Sequence, residues 1–409
     1  MSDGAPPPPA RATPPLVVRR KGDRGGLFAA GAAVALAVVV VGVGAATGWF
    51  GLRASSGSGC PTGVELQGAG ANFPAAIVSQ WTTGYHAASA NAVNYQSVGA
   101  GQGITDLTDK SVDFAITDEG LTAAQSSALT GASGTIMTIP VTGGAVVAVY
   151  TLSGFSGALH LTGAELAAIY LGTITTWNDT ALVNNNPGLA DLNVPITAVH
   201  RSDTAGMSYV FTNLLSDDDA TWNTTAGLGT SLDPAWPTFA GAEGADGNSQ
   251  MVSDVATNGA IGYTDLYDAQ AKSLSYAAVE NPSSQYITPT VADTESAIGN
   301  IYNRTASSLP PITGDWSTVS WVNAGGSGEY SLATLVYLLV PLDPANGHTA
   351  SSLDATVLRQ WISYVLTVGQ TYNEAEFPFV PPPAPLIDEG VASLSSMVFD
   401  GAPFPSCAP

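Results

Sequence analysis

The stretch PITAVHRSDTAGMSYVFTNLL, residues 195–215, changes its period halfway along. Pro195 to His200 reads as a strand, whereas Val210, Phe211, Leu214 and Leu215 recur at helical spacing. Between them lies Arg201-Ser202-Asp203-Thr204-Ala205-Gly206-Met207, a turn of mostly small residues that carries one arginine. Two other stretches share this design. Gly68-Ala69-Gly70-Ala71-Asn72-Phe73-Pro74 opens a helix carrying Ile77, Val78, Trp81 and Tyr85, with Pro74 suited to its first position. Gly99-Ala100-Gly101-Gln102-Gly103 lies between a strand at 93–98 and a helix at 104–110. Small residues let backbone N–H groups approach a ligand, and helix N-termini carry partial positive charge, so such loops suit an anion. Asp118 stands just past a strand at 112–117, at the level where α/β sheets bind ligands.

Charge makes Arg201 conspicuous. The chain has 409 residues, 11 cations and 33 acids, for a formal net charge of −22. Arg11, Arg19, Arg20, Lys21 and Arg24 sit in the first 26 residues. Beyond Cys60 only Lys110, Arg201, Lys272, Arg304 and Arg359 remain. An acidic surface of this kind argues against nucleic acid, which needs basic residues to neutralise phosphates. Hydrophobic residues make up 45% of the chain, enough to bury a sizeable core.

The wider pattern alternates short apolar strands with helices. Pro140 to Tyr150 is too β-branched and Gly-rich for a helix, and Thr162 caps a helix carrying Leu166, Ile169 and Tyr170. Alternation predicts α/β layers on largely parallel sheets. Residues 216–250 are rich in Gly, Asp, Ser and Thr and read as surface loop.

Residues 1–26 are Pro-rich and basic and read as a disordered cytoplasmic tail. Residues 27–50 carry no charge and exceed the roughly 20 residues that cross a bilayer. The preceding Arg19-Arg20-Lys21 places the N-terminus inside and the main body outside, as an uncleaved anchor or after signal cleavage. Residues 51–63 form a linker. Cys60 and Cys407, one at each edge of the exported body, suggest a single disulfide, with two free thiols as the alternative. Sequons stand at Asn178, Asn223 and Asn303, a number close to chance.

Catalytic signatures are missing: there is no G-x-x-x-x-G-K, G-x-S-x-G, H-E-x-x-H or C-x-x-C. Four scattered histidines suggest no metal site, and no cofactor is expected. The expectation is a binding protein, not an enzyme.

At its three loops the chain resembles the phosphate-binding protein of the high-affinity phosphate ABC transporter. The likeness runs through 68–74, Asn94-Tyr95-Gln96-Ser97-Val98-Gly99, Val112-Asp113-Phe114-Ala115-Ile116-Thr117-Asp118, 171–179, Val199-His200-Arg201-Ser202-Asp203 and Gly259-Ala260-Ile261-Gly262-Tyr263. It implies a two-lobed periplasmic-binding-protein-like α/β fold with a hinge, one lobe being 64–140 plus 342–409 and the other 141–341. The apolar runs near 140–150 and 331–341 would be the hinge crossings. This topology brings both chain ends to one lobe, which suits a Cys60–Cys407 bridge.

The resemblance also implies a ligand set. Arg201 matches the arginine that pairs with phosphate, and Asp203 the carboxylate that orients it. Asp118 matches the acceptor for the protonated phosphate oxygen, which excludes sulfate. The backbone N–H of Phe73 matches a donor, and Asn72, Ala100, Gly101, Ala205, Gly206 and Met207 complete the set. The implied partners are inorganic phosphate and ABC permease subunits, with the protein acting as a monomer. Departures stand beside these matches. Asn72 takes the place of a Thr and Ala100 of a Ser, and Thr204, Ala205, Gly206 and Met207 fill the last four places of R-x-D-G-S-G-T. Four hydroxyls are thereby absent, and a hydrogen bond to a charged group contributes roughly 1.5–3 kcal/mol. A different oxyanion or a phosphorylated organic ligand is the alternative, and a surface structural protein without ligand a third.

Overall fold

The computed structural model describes residues 61–225, 227–373 and 377–404. The expected basic tail, the membrane helix at 27–50, most of the linker, and both Cys60 and Cys407 lie outside the described residues. Among the described residues no helix is long and apolar enough to cross a membrane.

The described chain opens with β1 (Glu65–Gly70), α1 (Ala75–Ser89), β2 (Ala92–Ser97), α2 (Ala100–Thr108), β3 (Phe114–Thr117) and α3 (Ala123–Ser133). β4 (Ile136–Tyr150) follows, its continuous apolar run buried from end to end. Then come β5 (His160–Leu161), α4 (Gly163–Tyr170), α5 (Thr180–Asn185), β6 (Thr197–Arg201), α6 (Gly206–Asp218) and α7 (Ala220–Thr224). β7 (Ala242–Ala245), α8 (Gly247–Val255), β8 (Ala260–Asp265) and α9 (Leu266–Ala271) lead into the short strands β9 (Ser275–Tyr276), β10 (Ala278–Glu280) and β11 (Tyr286–Ile287). α10 (Val291–Thr305), β12 (Ala333–Pro341), α11 (Ser352–Leu366) and α12 (Ala384–Ser393) follow, and the antiparallel pair β13 (Val398–Phe399) and β14 (Ala402–Pro403) comes last among the described residues.

The strands pair in the order β2-β1-β3-β12-β4-β8-β6-β7, with β9 also on β4. Pairing is parallel at the two ends, β2-β1-β3 and β8-β6-β7. The centre is antiparallel, because β12 runs against both β3 and β4, and β4 against β8. The expectation of largely parallel sheets is corrected here: two long strands running in opposite directions join the two parallel ends. β4 pairs with β12 from Ile136 to Ala145 and with β8 from Val146 to Tyr150, so one strand serves both halves of a two-lobed α/β fold.

Local chemistry accounts for several boundaries. The Thr162 hydroxyl accepts from Glu165 N–H at 3.0 Å, and Glu165 accepts from Thr162 N–H at 2.8 Å, closing a capping box at the start of α4. α2 begins at Ala100 rather than 104, since Gly99, at φ +92°, already turns the chain out of β2. Pro74 is the cap before α1, not its first residue. The segment 216–250 is not one loop. It contains α7 with buried Trp222, β7, and the start of α8. Asp219 caps α7 by accepting from Thr221 and Trp222 N–H. Short elements with few apolar residues leave little periodicity to read.

Candidate functional site

Arg201 ends β6 and is 1% exposed. Its guanidinium meets Asp203 side-on: Nε donates to Oδ1 at 2.6 Å and Nη2 to Oδ2 at 2.5 Å. Nη1 donates to Asn248 Oδ1 at 2.7 Å, and Nη2 also to Asn72 Oδ1 at 3.0 Å. Its backbone N–H donates to the Tyr263 hydroxyl at 3.0 Å, and Tyr263 in turn meets Ser208 Oγ at 2.8 Å. Burial would raise the Asp203 carboxyl, but the guanidinium outweighs it and holds the group below the ordinary carboxylate range.

The three loops read from the sequence come together here. Asn72 in the first reaches Arg201 beside the third. Gly101 N–H donates to the Thr204 carbonyl at 3.3 Å, and a Cβ at Gly101 would lie 2.3 Å from Thr204 Cγ2. The Phe73 ring is buried against Phe379, with centroids 5.6 Å apart, which anchors the first loop on the middle of the molecule. Tyr95 on β2 donates to the Ala71 carbonyl at 2.8 Å and braces the same loop.

Asp118 lies just past β3, 1% exposed, and its carbonyl accepts from the Thr334 hydroxyl. Burial pushes its carboxyl up to about 6, against the pull of the neighbouring Glu119 and Arg201. Asp118 and Arg201 are both buried, but the guanidinium hydrogen-bonds Asp203, Asn72 and Asn248 rather than Asp118.

Several donors close to the places of the absent hydroxyls are engaged elsewhere. Ala205 N–H donates to the Leu232 carbonyl at 3.1 Å. Asn72 Nδ2 donates to Ser97 O and Oγ at 3.1 and 2.8 Å. Ser208 is fully buried on Tyr263. Gly206 and Met207 head α6, where their N–H groups precede the first intrahelical acceptor. Ala100 heads α2 in the same way. The Met207 side chain lies in the apolar core.

A cleft of about 670 Å³ opens beside this cluster. Asn72, Phe73 and Ser97 line one side, and Asp203, Asn248 and Asp268 line the other. Asn248 and Glu119 escape a reading of the sequence. Asn248 falls within the Gly/Asp/Ser/Thr-rich segment, where nothing marks one Asn among many. It donates to Asp265 Oδ2 at 2.8 Å and to Asp268 Oδ2 at 3.0 Å while accepting from Arg201. Glu119 is legible only as the neighbour of Asp118.

A mixed sheet shared by two halves, with a buried arginine where their loops meet, defines the class: the family model for the PBP superfamily domain matches residues 54–368. The chain is 36% identical over 284 residues to the phosphate-binding protein PstS of Xylella fastidiosa (strain Temecula1), covering 68% of this chain and 72% of that one. It is 33% identical over 258 residues to PstS of Pasteurella multocida (strain Pm70), covering 63% and 72%. Among solved structures it resembles a high-affinity periplasmic phosphate-binding protein, PfluDING, bound with phosphate. The TM-score is 0.62 at 22% identity, over 80% of this chain and 93% of that one, which is a likeness of fold. The chain belongs to the PstS phosphate-binding protein family of the PBP superfamily.

Proposed function

We propose that this protein is an extracytoplasmic solute-binding protein that captures inorganic phosphate in its cleft and delivers it to the permease subunits of an ABC transporter. It is a binding protein and not an enzyme, as its PstS relatives are. The observation that carries this reading is Arg201, a buried cation set by Asp203 at the meeting of three loops. A planar guanidinium held by a carboxylate is pre-oriented to pair with an oxyanion. Phe73, Ala100, Gly101, Gly206 and Met207 would add backbone N–H donors, with Gly101 first releasing the Thr204 carbonyl. Asp118 would accept from a P–OH group, so an anion without a proton meets like charge and is refused.

The lobes are 64–140 plus 342–409 and 141–341, with β4 and β12 as the hinge strands. The continuous pairing of β4 with β12 and then β8 supports this division. The apolar run 27–50 anchors the chain in the membrane, Cys60 pairs with Cys407, and the protein works as a monomer. A second reading, a phosphorylated organic ligand, is favoured by the cleft, whose volume exceeds what one inorganic anion fills.

The test is calorimetric titration of the full chain with phosphate, sulfate and a phosphomonoester, repeated on Arg201→Lys. That variant keeps the charge but loses the fork. Micromolar phosphate binding, absent for sulfate and lost in the variant, is the expected result. No heat with phosphate from a folded protein stripped of ligand would overturn the reading. Tighter binding of the ester would establish the second one.

A further inference from the structure

Asp118 and Glu119 are consecutive, yet both turn their carboxyls inward, at 1% and 3% exposure. Asp118 Oδ1 and both Glu119 oxygens are buried with no donor among the described residues. Asp118 Oδ1 and Glu119 Oε2 nonetheless crowd one point, since both press on the place a Cβ of Gly206 would take. Two carboxylates offer only acceptors, so a hydrogen bond between them forms only when one of them carries a proton. Both converge on the first residue of α6. A Cβ at Gly206 would lie 1.6 Å from Asp118 Oδ1 and 2.3 Å from Glu119 Oε2. The pair therefore abuts the helix start that heads the proposed phosphate site.

The groups facing the pair offer it little compensation. Arg201 and Asp203 face it from the end of β6, Tyr209 from α6, Tyr337 from β12 and Tyr95 from β2. Arg201 is the one cation in this set, and Asp203 already holds it. A doubly ionised pair would put two buried negative charges next to the position of an incoming anion.

We infer that Asp118 and Glu119 share one proton and that Glu119, through this proton, is a specificity-determining residue for the anion. With the proton in place, the pair presents one negative charge and can accept from a P–OH group. Without it, the pair repels every oxyanion. Burial pushes the Glu119 carboxyl well above its ordinary range, and the charge of Asp118 adds to this, so the proton persists above the pH at which an exposed carboxyl loses it. The inference rests on the phosphate reading above.

The experiment measures phosphate affinity of the full-length protein from about pH 5.5 to about pH 8.5, for wild type, Glu119→Gln and Glu119→Ala. Phosphate ionises in the same window, so the readout is the ratio of wild-type to variant dissociation constants at each pH. Gln donates to Asp118 at every pH, and Ala leaves a single carboxyl, so neither variant can hold a proton between two carboxyls. The ratio is expected to rise about tenfold across the window, equivalent to about 1.4 kcal/mol. Calorimetry in buffers of different ionisation enthalpy should also show the wild type taking up one more proton on binding at high pH than either variant. If Glu119→Gln does not fold, Glu119→Ala gives the same reading. Phosphate binding by all three with a flat ratio and equal proton uptake would overturn the shared proton and leave the phosphate reading standing. No phosphate binding by folded wild type or variants at low pH would overturn the phosphate reading and the inference with it.

Discussion

At Gly206 the constraint is space. Its neighbours are the Asp118 and Glu119 carboxyls, at distances no Cβ can accept. Gly206→Ala should force α6 away from β3, with the cost of overpacking at about 1–3 kcal/mol. Thermal unfolding should show the loss, and phosphate titration should show weaker binding than the melting change alone explains. Asn248 is a second residue whose role is positional. Its amide bridges Arg201 on one side and the Asp265 and Asp268 carboxylates on the other. Asn248→Ala removes an acceptor from a charged donor, a loss of about 1.5–3 kcal/mol, and takes away one of the three side chains that hold Arg201. Phosphate affinity is expected to fall by roughly tenfold or more, as titration would show. Unchanged affinity in a folded variant would mean that Asp203 and Asn72 suffice to hold the guanidinium.

At the scale of elements, β4 does two things at once. It runs through both halves of the sheet, and its Gly143-Gly144 step leaves room on its face for other parts of the chain. A Cβ at Gly144 would lie 2.9 Å from Phe73 Cζ and 3.2 Å from Phe379 Cδ1. The two rings hold the first loop, so Gly144→Val should displace Phe73 and with it a proposed N–H donor. Lower phosphate affinity together with a lower melting temperature is the expected pair of results. Glycines in helix interiors make the contrast. Gly131 in α3 and Gly299 in α10 have nothing within 4 Å of where an added methyl would sit. Changing either to Ala should raise stability by about 0.5–1 kcal/mol and leave phosphate binding unchanged. A drop in binding at these sites would mean that the helices carry more than structure.

At the scale of the whole molecule, proton binding sets a direction. Burial raises the carboxyls of Asp113, Asp118, Glu119 and Asp265. Between their unfolded values, near 4, and their folded ones, the native state binds more protons than the unfolded chain. Stability therefore falls as pH rises through this interval and levels off above it. Asp203, held low by Arg201, acts in the opposite sense, and its contribution is lost only in stronger acid. The excess of 33 acids over 11 cations adds self-repulsion at neutral pH. Melting midpoints are expected to be higher at about pH 5 than at about pH 8. A midpoint that climbs steadily over that range would contradict this account of the buried carboxyls.

Much of the fold was legible because it is written locally. A short apolar strand run marks β6, helical spacing marks α1 and α6, and the Thr162 cap marks the start of α4. The rarity of cations beyond residue 60 singled out Arg201, and the order of strand, small-residue turn and helix singled out the three loops. What surrounds Arg201 was not legible. Asn248 is 47 residues away and Asn72 is 129, and neither carries a pattern of its own. The antiparallel centre of the sheet, the Leu232 carbonyl on Ala205 N–H and the convergence of Asp118 and Glu119 on Gly206 were hidden in the same way. Periodicity records which face of an element is buried, because burial repeats along the chain. Pairing across the sheet, and the choice of partner for a buried polar atom, depend on distances that exist only once the elements have packed.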